Sequence, residues 1–276
     1  MLKLGVLVRL TKDVDMMAEF QKIADMGLQS CQISVWENEL YTEENAAIIN
    51  EAQEKSGVRV STLWAGWSGP KEWNFTYGPV TLGLVPAAYR GQRLAELEGA
   101  IPFAEAIGTK NIATHVGFLP ENPNDPDYVG TVGALRKLCR AMKEKGLSFL
   151  FETGQETPVT LVRAIEDIGL ENVGINFDTG NLVLYGKANP VDAFGIFGKY
   201  VMDMHIKDGL YPTDGKNLGK ETPVGEGKVD FEALVKLLKE GDYQGYLTIE
   251  REISGEKQIS DIIRARDLIR ELEQKF

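Results

Sequence analysis

Eight strand-like segments recur along the chain, and a helix-like segment follows each of them. The strand-like segments are short and rich in β-branched and aromatic residues, whereas the others carry apolar residues at helical spacing. The predicted strands cover residues 2–8, 30–36, 58–65, 111–116, 148–153, 173–178, 201–207 and 247–250. The predicted helices cover residues 13–26, 43–56, 90–107, 128–145, 158–168, 190–199, 231–240 and 259–274. Strands that alternate with helices in this way predict a parallel sheet.

This repeated βα unit is compatible with two α/β architectures. Eight βα units within 276 residues match the size of a (β/α)8 barrel, the TIM barrel. The alternative is an open doubly wound sheet, but no G-x-G-x-x-G glycine pattern follows the first predicted strand. The chain also has no linker-like or low-complexity segment. We therefore predict a TIM barrel in which residues 1–276 form a single domain.

Charge and cysteine content narrow the classes of partner and compartment. The chain has 41 acidic and 30 basic residues, a formal net charge of -11, which disfavours a nucleic-acid partner. Its two cysteines, Cys31 and Cys139, lie in different predicted elements and indicate reduced thiols.

The apolar run near residue 1 is broken by Arg9 and is too short for a secretory signal. No run approaches the ~18 apolar residues of a membrane span, so we predict a cytoplasmic protein without a membrane partner.

Residues of metal-ligand type end four consecutive predicted strands. The stretch VGINFDTGN, residues 173–181, alternates apolar and polar residues up to Asp178 and then breaks at a Thr-Gly pair. Glu152, His205 and Glu250 occupy matching positions in the fifth, seventh and eighth strands. Because TIM-barrel active sites lie at the C-terminal ends of the strands, these four side chains are predicted to meet. Oxygen-rich ligation suits Mn²⁺, Mg²⁺ or Co²⁺ better than a structural zinc. The alternative is that each carboxylate caps a helix or lies on the surface.

Three further polar residues are candidates for substrate binding. His115, one of only two histidines, ends the fourth predicted strand, and we favour a substrate contact over a packing role. Lys207 lies two residues after His205 on the same strand face, where it would bind a substrate oxygen, neutralise the site or be a surface charge. Glu156 would either bind a substrate hydroxyl or, as we slightly favour, start a helix.

Aromatic residues cluster after the second and third predicted strands. Trp36 ends the second strand, and the following strand and its loop hold Trp64, Trp67, Trp73, Phe75 and Tyr77. Aromatic rings at a barrel mouth exclude water and stack on sugar faces. We favour such a wall over the site, with Trp64 as a substrate-binding residue. A contact between subunits is the alternative.

The motifs in the second half of the chain resemble those of a known superfamily. They are FETG (151–154), NFDTGN (176–181), MHIKDG (204–209), PVGEGKVDF (223–231) and LTIERE (247–252). In their order and spacing they resemble the sugar isomerase/epimerase superfamily of xylose-isomerase-like TIM barrels, which includes ketose 3-epimerases and inosose dehydratases. The first half matches this superfamily only in its general pattern.

The resemblance implies a ligand set and a catalytic pair. One divalent cation, with Mn²⁺ preferred and Mg²⁺ or Co²⁺ as alternatives, would be held by Glu152, Asp178, His205 and Glu250. The two glutamates would also act as the acid and base. The chain departs from the ketose epimerases at two substrate-binding positions. Asn181 stands where those enzymes carry a histidine, and Tyr211 where they carry an arginine. We predict that Asn181 still contacts substrate.

The expected function is proton transfer alpha to the carbonyl of a keto- or aldo-sugar or cyclitol, through an enediolate. Delivery of a proton to the opposite face of the same carbon gives an epimer, and delivery to the neighbouring carbon gives an isomer. The alternatives are a dehydratase or lyase on a keto-sugar and a non-catalytic sugar-binding barrel. DNA repair of the endonuclease IV type is disfavoured by the two histidines and the charge of -11. The family resemblance also implies a homodimer or homotetramer.

Overall fold

The computed structural model describes all 276 residues and contains a closed barrel of eight strands. The barrel strands are β1 (Lys3–Leu10), β2 (Ser30–Val35), β3 (Arg59–Ala65), β4 (Asn111–Thr114), β5 (Ser148–Glu152), β6 (Val173–Asp178), β7 (Val201–Ile206) and β10 (Tyr246–Ile249). The short strands β8 (Asp208–Leu210) and β9 (Lys220–Thr222) form an antiparallel hairpin outside the barrel. The barrel order is β1-β10-β7-β6-β5-β4-β3-β2, and all neighbours are parallel. The predicted (β/α)8 barrel is thus confirmed.

Helices connect the strands and pack around the barrel. They are α1 (Met16–Asp25), α2 (Glu43–Ser56), α3 (Gly78–Thr81), α4 (Ala87–Gly99), α5 (Ile101–Ala106), α6 (Pro126–Glu144), α7 (Pro158–Ile168), α8 (Thr179–Leu184), α9 (Pro190–Phe197), α10 (Phe231–Glu240) and α11 (Glu256–Glu273). Several start at a side chain that accepts a hydrogen bond from the first turn, among them Asp15, Thr42 and Asp230, and such caps satisfy otherwise unpaired amides. None of the helices is long and apolar enough to span a membrane.

Three connections differ from the sequence prediction. The single helix predicted over 90–107 is two helices, because Pro102 fixes the backbone at the start of α5 and lacks an amide hydrogen. The break predicted at Thr179-Gly180 is the first turn of α8, since Asp178 caps it by accepting a hydrogen bond from the amide of Asn181. The long loop predicted after the seventh strand contains the β8–β9 hairpin.

The barrel separates an apolar shell from a polar interior. A cluster of 65 buried hydrophobic residues fills much of the space around the strands and helices. Buried polar side chains on the strands include Gln32, Thr62, Asn176, Asp203 and Thr248. Several of these pair across the barrel interior, as where Thr62 Oγ1 on β3 donates to Asp203 Oδ2 on β7 at 2.6 Å. Such paired polar groups give the barrel interior fixed hydrogen-bond partners for a site built above them.

Two loops from opposite parts of the chain meet over the C-terminal end of the barrel. The amide of Phe75, in the loop after β3, donates to the carbonyl of Lys216 at 2.9 Å. Asn74 and Asn217 form an isolated antiparallel bridge beside this contact. The loops after β3 and β8 therefore hold each other in place at the mouth of the barrel.

Candidate metal centre

The four predicted ligand residues meet in one buried cluster. Glu152 is the last residue of β5, Asp178 the last of β6, His205 lies one residue before the end of β7, and Glu250 follows β10. Their ligand atoms all lie within 4.8 Å of one another, and all four residues are buried. Because the four parallel strands are consecutive in the barrel, matching strand ends bring the side chains together. The alternative that the carboxylates are surface charges is therefore wrong, whereas the alternative of a helix cap holds for Asp178, which also caps α8.

His205 lies at the centre of this cluster. Its Nδ1 is 3.2 Å from Glu152 Oε1, 3.2 Å from Glu250 Oε2 and 3.5 Å from Asp178 Oδ2. Its Nε2 is 2.8 Å from the side-chain carbonyl oxygen of Gln32, which can only accept a hydrogen bond. With the proton on Nε2, the neutral ring points the lone pair of Nδ1 at three carboxylates.

That arrangement requires a positive charge. His205 Nδ1 and Asp178 Oδ2 are both buried and have no hydrogen-bond partner, which is rare for buried polar atoms. A lone pair and three carboxylate oxygens repel one another unless a proton or a cation lies between them. One imidazole and three carboxylates could hold a divalent metal ion at this position, so the residues present fit the group.

The pKa values within the cluster express the same charge balance. Burial raises the pKa of Asp178 to about 7, against the lowering effect of Lys207 and His205. Burial also opposes ionisation of Glu250, but the charges of Lys207 and His205 hold its pKa well below its usual value. Burial disfavours a charged imidazole, yet Glu250 and Glu152 raise the pKa of His205 well above its usual value. The cluster therefore attracts positive charge.

Lys207 is the nearest permanent counter-charge. Its Nζ lies 3.1 Å from Glu250 Oε2, 3.8 Å from Asp178 Oδ2 and 2.6 Å from Glu252 Oε1. Only 1% of the residue is exposed, so the interpretation of Lys207 as a surface charge is wrong. Burial favours the neutral amine, but Glu250 and Glu252 raise the pKa of Lys207 well above its usual value. The ammonium group balances part of the carboxylate charge.

Three predicted substrate-binding residues surround Glu152. The indole Nε1 of Trp64 donates to Glu152 Oε2, and the side-chain amide of Asn181 donates to Glu152 Oε1 at 3.4 Å. His115 Nε2 lies 3.6 Å from the same Oε1. Burial raises the pKa of Glu152, but the His115 and His205 charges outweigh this and lower it. The carboxylate of Glu152 is thus oriented from three sides.

A cavity of about 750 Å³ opens above the cluster. Glu152 and Glu250 lie on its surface with His115 and Asn181, and the rings of Trp36, Trp64 and Trp73 form part of its lining. The Trp36 and Trp64 ring centres are 4.9 Å apart. The sequence prediction of an aromatic wall is therefore met by three of the tryptophans.

Other members of the predicted wall lie elsewhere. Trp67 is fully buried behind the cavity, with the guanidinium of Arg93 4.1 Å from its ring centre. Phe75 packs on Tyr185, at 6.4 Å between ring centres. Tyr77 is 58% exposed. These side chains shape or support the loops at the mouth of the barrel without lining the cavity.

Glu156 lies apart from this surface. It is buried and absent from the cavity lining, and its Oε1 has no hydrogen-bond partner. Burial raises its pKa to about 8. The slightly favoured prediction that Glu156 starts a helix is wrong by one residue, because the N-cap of α7 is the next residue, Thr157. Its role in substrate binding stays a prediction.

Sequence reasoning missed two supports of the site. Gln32, a polar residue in the buried strand β2, orients His205, and its position among apolar neighbours was the available signal. Arg251 lines the cavity and pairs with Glu221 at 2.6 Å and with Asp261 at 2.9 Å. These ion pairs hold the segment after β10, directly beside Glu250.

The family of the chain follows from comparison with known proteins. The family model described as xylose isomerase-like TIM barrel matches residues 20–272. The chain therefore belongs to the xylose isomerase-like TIM barrel family. A solved xylose isomerase domain protein from Planctomyces limnophilus is 32% identical, with a TM-score of 0.91 over 99% of this chain and 98% of that protein.

Two other relatives carry functional names. An inosose dehydratase from Clostridium perfringens is 31% identical over 148 residues, which cover 47% of this chain and 48% of the relative. The match thus spans about half the length of this curated relative. The solved 3-keto-D-glucoside 4-epimerase of E. coli is 18% identical, with a TM-score of 0.74 over 98% of this chain and 100% of that protein. At this identity the likeness shows the shared fold alone.

Proposed function

We propose that this protein is a divalent-metal-dependent sugar isomerase or epimerase that moves a proton alpha to a carbonyl. The observation that carries the proposal is the buried cluster of three carboxylates and one imidazole, of which Glu152 and Glu250 line a cavity of about 750 Å³. Glu152, Asp178, His205 and Glu250 would hold one ion, with Mn²⁺ preferred and Mg²⁺ or Co²⁺ as alternatives. The substrate is a small keto- or aldo-sugar or a cyclitol.

Glu152 and Glu250 would act as the acid/base pair. A bound divalent ion supplies Lewis acidity, which polarises a substrate carbonyl and makes the adjacent carbon-bound proton more acidic. Glu152 and Glu250 come from β5 and β10, which are separated in the barrel by β6 and β7. Their carboxylates therefore approach the cavity from different directions. One glutamate takes the carbon-bound proton and becomes a carboxylic acid. The other glutamate, an anion at rest because its pKa is lowered, takes a proton from solvent and gives it to the enediolate.

The charge state of the pair supports this role. The pKa of Glu250 is held well below its usual value by Lys207 and His205, which outweigh the opposing effect of burial. Glu250 is therefore an anion at neutral pH and can accept a proton. Glu152 is oriented by Trp64, Asn181 and the neighbouring imidazole of His115. A fixed carboxylate transfers protons faster than a mobile one because less reorganisation is needed.

Substrate contacts are assigned to the groups that line the cavity around this pair. His115 and Asn181 present polar atoms beside Glu152. Trp64 presents only its apolar ring, because its indole Nε1 already donates to Glu152. Lys207 is absent from the cavity lining, so its proposed part is to balance the charge of Glu250. Glu156 retains a proposed part in substrate binding only if the loop between β5 and α7 rearranges.

A dehydratase is the second candidate, and the 31% identity to an inosose dehydratase favours it. It shares the first step with the epimerase, because loss of the carbon-bound proton beside a carbonyl generates the same enediolate. Expulsion of a hydroxyl group from the next carbon would then give an unsaturated product. The same residues, Glu152 and Glu250, would act as base and acid.

Solvent deuterium exchange tests the proposal. The protein with Mn²⁺ is incubated in D₂O with ketoses, inososes and keto-glucosides, and the sugars are examined by NMR. Deuterium at the carbon beside the carbonyl, with recovery of an epimer or isomer, is expected for at least one sugar. An unsaturated product assigns the dehydratase instead. Tight sugar binding without exchange by any sugar would indicate a non-catalytic barrel and contradict the proposal.

The proposed setting is the cytoplasm. Cys31 and Cys139 are both buried and unpaired, which supports a reducing compartment. A homodimer or homotetramer is proposed from the family resemblance. Sedimentation velocity of the purified protein measures this state directly.

A further inference from the structure

A second cavity adjoins the one above the metal centre. Its volume is about 710 Å³, and it shares Arg9, Trp36 and Trp73 with the first cavity. None of the four metal-ligand candidates lines it. We call the cavity above the cluster the inner cavity and this second one the outer cavity. A ligand that fills both would pass along the two shared tryptophans.

The outer cavity is lined mainly by polar groups, since only two of its ten lining residues are hydrophobic. Glu37, Glu39 and Glu96 outnumber Arg9 and Lys71 there, so the lining has no excess of positive charge. Arg9 is also paired with Glu37 at 3.2 Å. A phosphate or another anion would meet this carboxylate-rich surface unfavourably, whereas the hydroxyl groups of a neutral sugar find both donors and acceptors.

Trp73 supplies the apolar surface that a sugar ring requires. It packs against Trp36 and Trp67, with ring centres 6.4 Å from each, yet 39% of it remains exposed. An indole on the boundary of two cavities can stack on a sugar face, which buries apolar area and excludes water. The free surface of Trp73 lies where the two cavities join.

The loop that carries Trp73 is fixed by a buried arginine. Arg93 is fully buried and donates to the carbonyls of Ser68 at 3.1 Å, Thr81 at 2.7 Å and Gly83 at 2.6 Å. These contacts hold the chain on both sides of Trp73. A surface held in this way loses little conformational entropy when a ligand binds.

Lys71 is held in the outer cavity and does not line the inner one. Its Nζ donates to the carbonyl of Trp67 at 3.3 Å and lies 4.7 Å from the ring centre of Trp36. An ammonium group has three donors, so Lys71 has hydrogen-bonding capacity left for a ligand. Removal of Lys71 therefore takes a lining group from the outer cavity and none from the inner cavity.

We propose that the outer cavity is a second sugar-binding subsite and that the natural substrate is a glycoside of two sugar rings, of which the reacting ring carries a ketone. The ring that reacts occupies the inner cavity over Glu152 and Glu250, and the second ring stacks on Trp73 within reach of Lys71. The assignment of the reacting ring rests on the proposed function. The existence of the outer subsite rests on the cavity, its lining and the exposed tryptophan.

Matched sugar pairs test the subsite by binding alone. Isothermal titration of the Mn²⁺-loaded protein compares methyl β-glucoside with cellobiose and methyl α-glucoside with maltose. At least one disaccharide is expected to bind tenfold or more tightly than its methyl glycoside. Lys71→Ala and Lys71→Met should each reduce that preference at least fivefold and leave the affinity for the methyl glycoside within twofold of the wild type. Lys55→Ala, which removes an exposed lysine paired with Glu51 on α2, is the control without effect.

Equal affinity for both members of each pair, or no measurable binding of either disaccharide, would overturn the subsite. An equal loss for disaccharide and methyl glycoside in both Lys71 variants would overturn it as well. Deuterium exchange on a free ketose reports the inner cavity only, and it separates the two proposals. Exchange without a disaccharide preference refutes the subsite alone. A disaccharide preference without exchange on any sugar refutes the proposed function alone.

Discussion

The two halves of the barrel contribute different chemistry to one cavity. Strands β5, β6, β7 and β10 deliver all four metal-ligand candidates. Strands β2 and β3 and the loop after β3 deliver the tryptophans, of which Trp36, Trp64 and Trp73 line the cavity. The second half therefore concentrates charge, and the first half supplies shape and apolar surface. The halves are nevertheless joined, because Trp64 donates to Glu152 and Gln32 contacts His205.

The largest effect should come from the second half. Glu250→Gln keeps the size of the side chain and removes the proposed base, so the rate of deuterium exchange should fall about 10²- to 10⁴-fold. Glu226→Gln alters an exposed glutamate paired with Arg264 and should leave the rate unchanged. Exchange rates within tenfold of the wild type in Glu250→Gln would remove Glu250 from the chemistry.

The second-largest effect should come from Gln32, a residue of the first half that contacts His205. Gln32→Leu removes the oxygen that orients His205 Nε2, and loss of such a partner typically costs about 10- to 100-fold in metal affinity. Titration calorimetry with Mn²⁺ measures this loss. Gln32→Glu keeps an acceptor for His205 Nε2 but loses the amide donor to Asn176 Oδ1, so it should recover only part of the affinity. Wild-type affinity in Gln32→Leu would show that the first half does not support the metal centre.

A substitution of Trp64 tests whether its contact with Glu152, which joins the two halves, affects the reaction. Trp64→Phe keeps an aromatic ring but removes the donor to Glu152. Since a hydrogen bond to a charged group contributes about 1.5–3 kcal/mol, kcat/KM should fall about tenfold or more. The matched control is Trp67→Phe, because the Trp67 indole donates to the backbone carbonyl of His115. Equal effects of the two variants would contradict a direct role for the Trp64–Glu152 contact.

Glu156 provides a contrast within the second half, because it is buried away from the cavity lining and its ionisation should affect stability. Burial raises its pKa from 4.5 to about 8, so the folded state binds a proton that the unfolded state releases above pH ~4.5. Below pH ~4.5 the proton on Glu156 makes its full contribution to the free energy of unfolding. This contribution is lost as the pH rises through about 8. Glu156→Gln should therefore match the wild type in Tm near pH 5 and exceed it near pH 9. A constant difference in Tm across this range would refute the raised pKa.

Local pattern in the sequence predicted the barrel and the four residues of the cluster. Alternation along β6 placed Asp178 at a strand end, and the parallel barrel then brought it beside Glu152 and His205, because neighbouring strand ends coincide. The same local pattern failed at residues 90–107, where the helical spacing continues through Pro102 although the backbone is interrupted there.

Contacts across the barrel could not be predicted from the local sequence pattern. Gln32 and His205 are 173 residues apart in sequence, and their contact depends on closure of the sheet. The burial of Glu156 depends in the same way on tertiary packing, since nothing in its neighbours in sequence marks a carboxyl group without a partner. Long-range packing thus decides which polar residues support the site and which are merely enclosed.

The most direct test of the account is anomalous diffraction at the manganese edge from crystals grown with Mn²⁺. One strong peak per chain is expected, bonded to Glu152, Asp178, His205 and Glu250. A fully occupied peak elsewhere in the chain, or none within this cluster at saturating Mn²⁺, would contradict it.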